Sequence, residues 1–131
     1  MGVKHLVDTH VLLWLLSTPD RIAEPVRQAL ADRTNLLLVS VASALEISTK
    51  VRLGKLEAPD LTATLPRRLD DISAAVLPIT LEHAVLAGSM SWAHRDPFDR
   101  LLVAQATLED AVLVTVDATI VGLPIPRILT C

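Results

Sequence analysis

Apolar residues in this chain fall into short, predominantly apolar runs, and most runs lead into a stretch with helical spacing. Residues 3–7, 36–39, 75–79 and 112–116 form the runs. Segments of that length without apolar/polar alternation predict strands buried on both faces of a parallel sheet. Asp8 or Thr9 opens a short helix to Leu16, which Ser17-Thr18-Pro19-Asp20 breaks. Residues 23–32 predict a helix with Glu24 and Pro25 at its start. Ser40 caps a longer helix that ends at Gly54, where a left-handed residue is expected. Residues 58–63 read as a polar link and 66–73 as a helix. Thr80 caps a helix to about Trp92, and Asp96 caps another to about Glu109. A tail with Pro124 and Pro126 adds a short edge strand near Ile128.

Strands alternating with helices imply a three-layer α/β fold, with a central, mostly parallel sheet of four or five strands flanked by helices. Right-handed crossovers bring the carboxyl ends of the strands to one rim, where sites form in such sheets. No repeat or low-complexity segment divides the chain, so residues 1–131 read as one domain. Asp8 and Asp117 directly follow the first and fourth strands and fall on that rim.

A second acidic feature lies in His94-Arg95-Asp96-Pro97-Phe98-Asp99. Asp96 is a favoured N-cap and Pro97 sits where its missing N–H does no harm. Asp99 then heads a stripe continued by Leu102, Val103 and Ala106, at the edge of the core. A carboxylate there needs a partner, a proton or a metal ion. On the Ser40-capped helix, Ser43, Glu46 and Lys50 share one face. Taken singly, each acid has an ordinary role. Asp8 and Asp96 can be caps, Asp117 a turn residue, and Glu46 half of an i,i+4 ion pair with Lys50 worth ~0.3–0.5 kcal/mol. Together, Asp8, Glu46, Asp99 and Asp117 converge on one rim, and clustered carboxylates raise one another's pKa unless a cation neutralises them. Hard oxygen ligands suit Mg²⁺ or Mn²⁺ and, with them, phosphate substrates.

Composition sharpens this picture. Hydrophobic residues make up 51% of 131 and mean hydropathy is +0.47, which excludes disorder. No apolar run reaches the length of a membrane span, and Asp8 and His10 interrupt any signal-peptide pattern, so a cytoplasmic protein is expected. The lone Cys131 allows neither an internal disulfide nor a thiolate metal site. Net charge is −3; with the four rim acids set aside, twelve basic residues face eleven acidic ones. Trp14, Trp92 and Phe98 are too few for a base-stacking platform, so a nucleic-acid contact would run through phosphate. His5 lies inside the first strand, and His10, His83 and His94 show no paired metal-ligand spacing, so no histidine is expected in the site. A Gly-rich phosphate loop, a Gly-x-Ser-x-Gly elbow and a Cys–His nucleophile are all missing from the sequence.

Several segments resemble PIN-domain proteins: Leu6-Val7-Asp8-Thr9-His10-Val11-Leu12-Leu13-Trp14, Ser40-Val41-Ala42-Ser43-Ala44-Leu45-Glu46-Ile47-Ser48-Thr49-Lys50, Gly54-Lys55-Leu56, Asp96-Pro97-Phe98-Asp99-Arg100-Leu101-Leu102-Val103-Ala104-Gln105-Ala106 and Val114-Thr115-Val116-Asp117. In order and spacing they are most similar to the VapC toxins of bacterial type II toxin–antitoxin systems. The resemblance implies a parallel sheet flanked by helices and an Mg²⁺- or Mn²⁺-dependent endoribonuclease, neutralised by a VapB-like antitoxin encoded beside it. It implies homodimers and toxin–antitoxin hetero-oligomers as assemblies, with no membrane role. By the family pattern Asp8, Glu46, Asp99 and Asp117 are the acidic quartet, with Asp8, Asp99 and Asp117 at the metal and Thr115 a polar residue lining it. Ser43 and Asp96 are supporting, Asp96 as a cap and second choice to Asp99. Lys50, Lys55, Arg95 and Arg100 are candidates for holding the RNA backbone, ordinary solvated charge being the alternative for each. The apolar faces around Trp14 and Leu45 fit either a dimer or antitoxin surface or the core.

Other classes fit less well. A phospho-receiver domain shares the length, the rhythm and an Mg²⁺ pocket, but needs adjacent acids after the first strand and a phosphoacceptor Asp after the third, where this chain has Asp8-Thr9 and Ile79-Thr80. A haloacid-dehalogenase-type phosphatase needs Asp-x-Asp, and His10 takes the second place. A catalytically silent PIN scaffold and a housekeeping RNA-processing nuclease are the remaining alternatives.

Overall fold

A computed structural model of the chain describes residues 2–131. Five strands form one sheet: β1 (Lys4–Val7), β2 (Leu36–Ser40), β3 (Ala75–Leu77), β4 (Val112–Thr115) and β5 (Ile128–Thr130). Their order is β3-β2-β1-β4-β5, and every neighbouring pair is parallel. Seven helices flank it: α1 (Thr9–Ser17), α2 (Glu24–Ala31), α3 (Val41–Arg52), α4 (Leu61–Asp71), α5 (Leu81–Ser89), α6 (Pro97–Leu108) and α7 (Ala118–Val121).

Alternation along the strands splits the core in two. Val7, Leu37, Val39 and Val114 point to one face and pack with Val11, Leu12, Ile47 and the α4 leucines. Leu6, Leu38 and Leu113 point to the other and pack with Leu102, Val103 and Ala106 of α6. Both faces of the central strands β1, β2 and β4 are therefore covered, which is why those strands read as predominantly apolar runs.

The strands keep to the expected runs within one or two residues, β3 stopping at Leu77, and the helices differ more. Helix α4 begins at Leu61, not at Pro66. Leu61, Leu65 and Leu69 repeat every four residues and are buried. Pro66 lies on the exposed side with Thr62, so the carbonyl that its ring frees meets water. Helix α5 stops at Ser89 instead of continuing to Trp92, with Met90 already extended. The four-residue α7 was expected only as a turn; Asp117 caps it through the Thr119 N–H. Gly54 has φ +73°, the left-handed conformation expected at the end of α3.

The sheet order reverses between β1 and β4, since β1 continues to β2 on one side while β3 crosses back to β4 on the other. Crevices at such switch points, beyond the carboxyl ends of the strands, are where open α/β sheets bind ligands. Asp8 leaves β1 and Asp117 follows β4 at this position. A receiver-type sheet runs 2-1-3-4-5. This one does not, and the phospho-receiver alternative is excluded by topology.

Candidate functional site

Asp8 is held by two constraints. As N-cap of α1 its Oδ1 accepts the Val11 N–H at 2.8 Å, while its Oδ2 accepts the Thr115 hydroxyl at 2.5 Å. Burial raises its pKa above the ordinary carboxylate range, opposed by these hydrogen bonds. Thr115 in turn accepts the Asp117 N–H at 3.0 Å, so one hydroxyl ties the ends of β1 and β4. Asp117 caps α7, and its Oδ1 takes both the N–H and the hydroxyl of Thr119, at 2.9 and 2.7 Å. The Thr119 hydroxyl is the main reason its pKa lies below the ordinary value.

Glu46 stands on α3 with Lys50, Nζ to Oε2 3.2 Å. The ordinary ion pair is present, and the same two residues line the acidic cavity. Ser43, one turn earlier and buried, accepts the Thr9 hydroxyl at 3.0 Å and so locks α3 against α1. Asp96 is the N-cap of α6, accepting the Phe98 N–H at 2.9 Å. Asp99, one turn further on, has its pKa raised first by burial and further by the charges of Asp96 and Asp117.

These residues meet. Asp8, Glu46, Asp96, Asp99 and Asp117 surround one cavity of about 210 Å³, with His10 at its edge. Beside it, sharing Glu46, Lys50 and Asp96, lies a groove of about 430 Å³ that adds Lys55, Arg95 and Phe98. A larger hollow, about 530 Å³ between Arg27, Leu30, Leu36 and Ile72, touches none of these acids. Charge and chemistry, more than size, mark the smaller cavity.

Two expectations are corrected. Arg100 is not free to hold a phosphate. Its guanidinium donates to the carbonyls of Ala87 (2.7 Å), Trp92 (2.5 Å), His94 (2.9 Å) and Met90 (2.8 Å), and so ties down the loop between α5 and α6. Nor is the site free of histidine. His94 Nε2 lies 2.7 Å from Asp99 Oδ2, and one ligand atom each of His94, Asp99 and Asp117 fall within 4.8 Å of one another. Sequence spacing does not reveal this, because the loop path that Arg100 sets is what brings His94 back to Asp99. Of the two apolar faces noted above, Trp14 packs against the core while Leu45 is 59% exposed.

The PIN-domain family model matches residues 5–123. The chain belongs to the PIN-domain family. Solved structures with the same PIN fold include a VapBC2 complex from Rickettsia felis bound to a promoter DNA fragment, at 14% identity and a TM-score of 0.71. A DNA-bound VapBC from Salmonella typhimurium gives 18% and 0.71, and VapBC-1 from nontypeable Haemophilus influenzae 18% and 0.67. In all three, 98% of each chain is covered. Comparison with curated proteins gives no significant match. No helix among the described residues is long and apolar enough to cross a membrane.

The donor set suits a divalent cation. Buried and mutually repelling carboxylates are stable together when a cation neutralises them, and Asp99 is the clearest such group here.

Proposed function

We propose that this PIN domain is a divalent-metal-dependent endoribonuclease and the toxin of a VapBC-type pair. The observation that carries the reading is the convergence of Asp8, Glu46, Asp99 and Asp117 on one cavity at the switch point of the sheet. Asp8, Asp99 and Asp117 would hold Mg²⁺ or Mn²⁺, with Glu46 completing the wall. A divalent ion held there would supply a water of lowered pKa and offset charge on a phosphate. The chain's own contribution is positional: Thr115 and the Val11 N–H fix Asp8, and Asp96 fixes the start of the helix that carries Asp99. In-line attack of water on phosphorus, with cleavage of the P–O3′ bond, leaves a 5′-phosphate and a 3′-hydroxyl.

The adjoining groove supports RNA as substrate. Lys50, Lys55 and Arg95 line it and can meet backbone phosphates next to the acidic cavity. Lys50 is shared with the Glu46 pair, so substrate and carboxylate compete for one ammonium. The antitoxin partner is supported by the VapBC complexes whose fold this chain shares. Exposed apolar side chains, Leu81 and Val85 on α5 and Val41 and Leu45 on α3, offer surface for that partner or for a second copy.

Purified protein incubated with RNA tests the catalytic part. Cleavage is expected with Mg²⁺ or Mn²⁺ and not with EDTA. Asp99→Asn should abolish it with the fold intact. Asp96→Asn should leave substantial activity, because Asn caps helices about as well as Asp. Cleavage unaffected by EDTA, or the reverse ranking of the two variants, would overturn the assignment.

A further inference from the structure

We infer that His94 is a metal ligand in this chain, and that with Asp99 and Asp117 it makes the pocket select a transition ion such as Mn²⁺ or Co²⁺ over Mg²⁺. The inference rests on the reading of the cavity as a divalent-ion site. One ligand atom from each of the three residues lies within 4.8 Å of the others. A single ion with bonds of about 2.1 Å spans opposed donors about 4.2 Å apart, so small side-chain shifts close the set. Asp99 and Asp117 line the acidic cavity with Asp8 and Glu46, while His94 stands beside it and reaches the trio through Asp99.

The placement of His94 is built by contacts that do not depend on the acids. Trp92 stacks on the imidazole, ring centroids 4.7 Å apart at 29°. Arg100 holds the Trp92 and His94 carbonyls, and with them the backbone on which the ring stands. The ring is only a quarter exposed and points Nε2 at the Asp99 carboxylate. Asp117 has one oxygen committed to Thr119, and the hydrogen bonds of the described residues leave its other oxygen without a donor. An imidazole nitrogen changes the preference of the set. Mg²⁺ takes oxygen ligands and dehydrates reluctantly, whereas an imidazole nitrogen favours first-row transition ions over Mg²⁺, Co²⁺ more than Mn²⁺. A hydrogen bond from Nε2–H to Asp99 uses the same atom, so ligation and simple positioning make different predictions.

The test is to strip the purified protein of metal, titrate it with Mn²⁺, Co²⁺ and Mg²⁺ by calorimetry, and record pulsed EPR of the Mn²⁺-loaded form. Wild type should bind Mn²⁺ and Co²⁺ at least about tenfold more tightly than Mg²⁺, with nitrogen-14 modulation in the Mn²⁺ spectrum. His94→Ala should abolish the modulation and weaken Mn²⁺ binding by about 10–100-fold, while Mg²⁺ affinity moves little. His94→Gln keeps an amide N–H for Asp99 and should fail to rescue either property. Tight Mn²⁺ binding without nitrogen coupling, or full rescue by Gln, would reduce His94 to a hydrogen-bond donor and overturn the inference while leaving the metal site standing. Failure of every ion to bind wild type would instead overturn the metal reading itself, and this inference with it.

Discussion

Asp99 shows how much one position can disclose before any coordinates. Its place at the head of the Leu102, Val103 and Ala106 stripe marks it as a carboxylate at the edge of the core, and the structure places it there, half-buried on α6. Its charge state has a consequence for stability. Burial raises the pKa of Asp99 above its unfolded value, so the native state keeps this proton to higher pH than the unfolded chain. Between the ordinary and the raised pKa the unfolded state binds fewer protons, and stability falls as pH rises; above that window the loss is complete. Asp99→Asn removes the buried charge while still accepting from His94. In metal-free buffer at neutral pH it should therefore melt a few degrees above wild type. The gap should close near about pH 3, below the usual carboxylate pKa, where Asp99 is protonated in both states. Excess Mn²⁺ should reverse the ranking, because it stabilises only a chain that binds it. Identical melting of the two proteins at neutral pH would show that Asp99 carries no unfavourable charge. His94 lay beyond sequence reasoning for the opposite reason: nothing in its spacing to Asp99 fixes the turn of chain that makes them neighbours.

At the scale of elements, most helix starts were legible because the cap residues are chemically specific. Asp8, Ser40, Thr80 and Asp96 each accept a hydrogen bond from the first turn that they open. Ends and interruptions were less so. Pro66 suggested a start for α4, but the buried Leu61, Leu65 and Leu69 outweigh one lost hydrogen bond on the wet side of the helix. The Thr80-capped helix was expected to reach about Trp92, whereas Arg100 draws the carbonyls of Met90, Trp92 and His94 to itself and the chain leaves the helical path. Loop and helix α6 thus form one unit centred on a guanidinium. Arg100→Lys tests it while preserving charge. A lysine cannot reproduce the fork that meets four carbonyls, and the melting temperature should fall by about 5–10 °C, equivalent to roughly 1.5–2.5 kcal/mol. A variant of wild-type stability that loses only RNA affinity would restore Arg100 as a phosphate contact.

For the molecule as a whole, the rhythm of strands and helices conveyed the layered α/β sheet and the rim on which strand ends meet. It did not convey the strand order, which depends on which way each crossover turns, and the order is what places Asp8 and Asp117 at a switch point. The surface then divides by charge. Acids fill the cavity, while Lys50, Lys55 and Arg95 line the groove beside it. A near-neutral body with an acidic pit next to a basic track is the arrangement a metal-dependent nuclease needs, and a net charge of −3 conceals it. The most direct measurement is to induce wild type and Glu46→Gln in bacteria, follow growth, and sequence the 5′ ends of total RNA with and without prior phosphorylation by a kinase, which separates 5′-monophosphates from 5′-hydroxyls. Growth arrest with discrete new 5′-monophosphate ends, in wild type alone, is the predicted result. Normal growth without new ends, or new ends bearing 5′-hydroxyls, would contradict a toxin that cleaves RNA by metal-assisted attack of water.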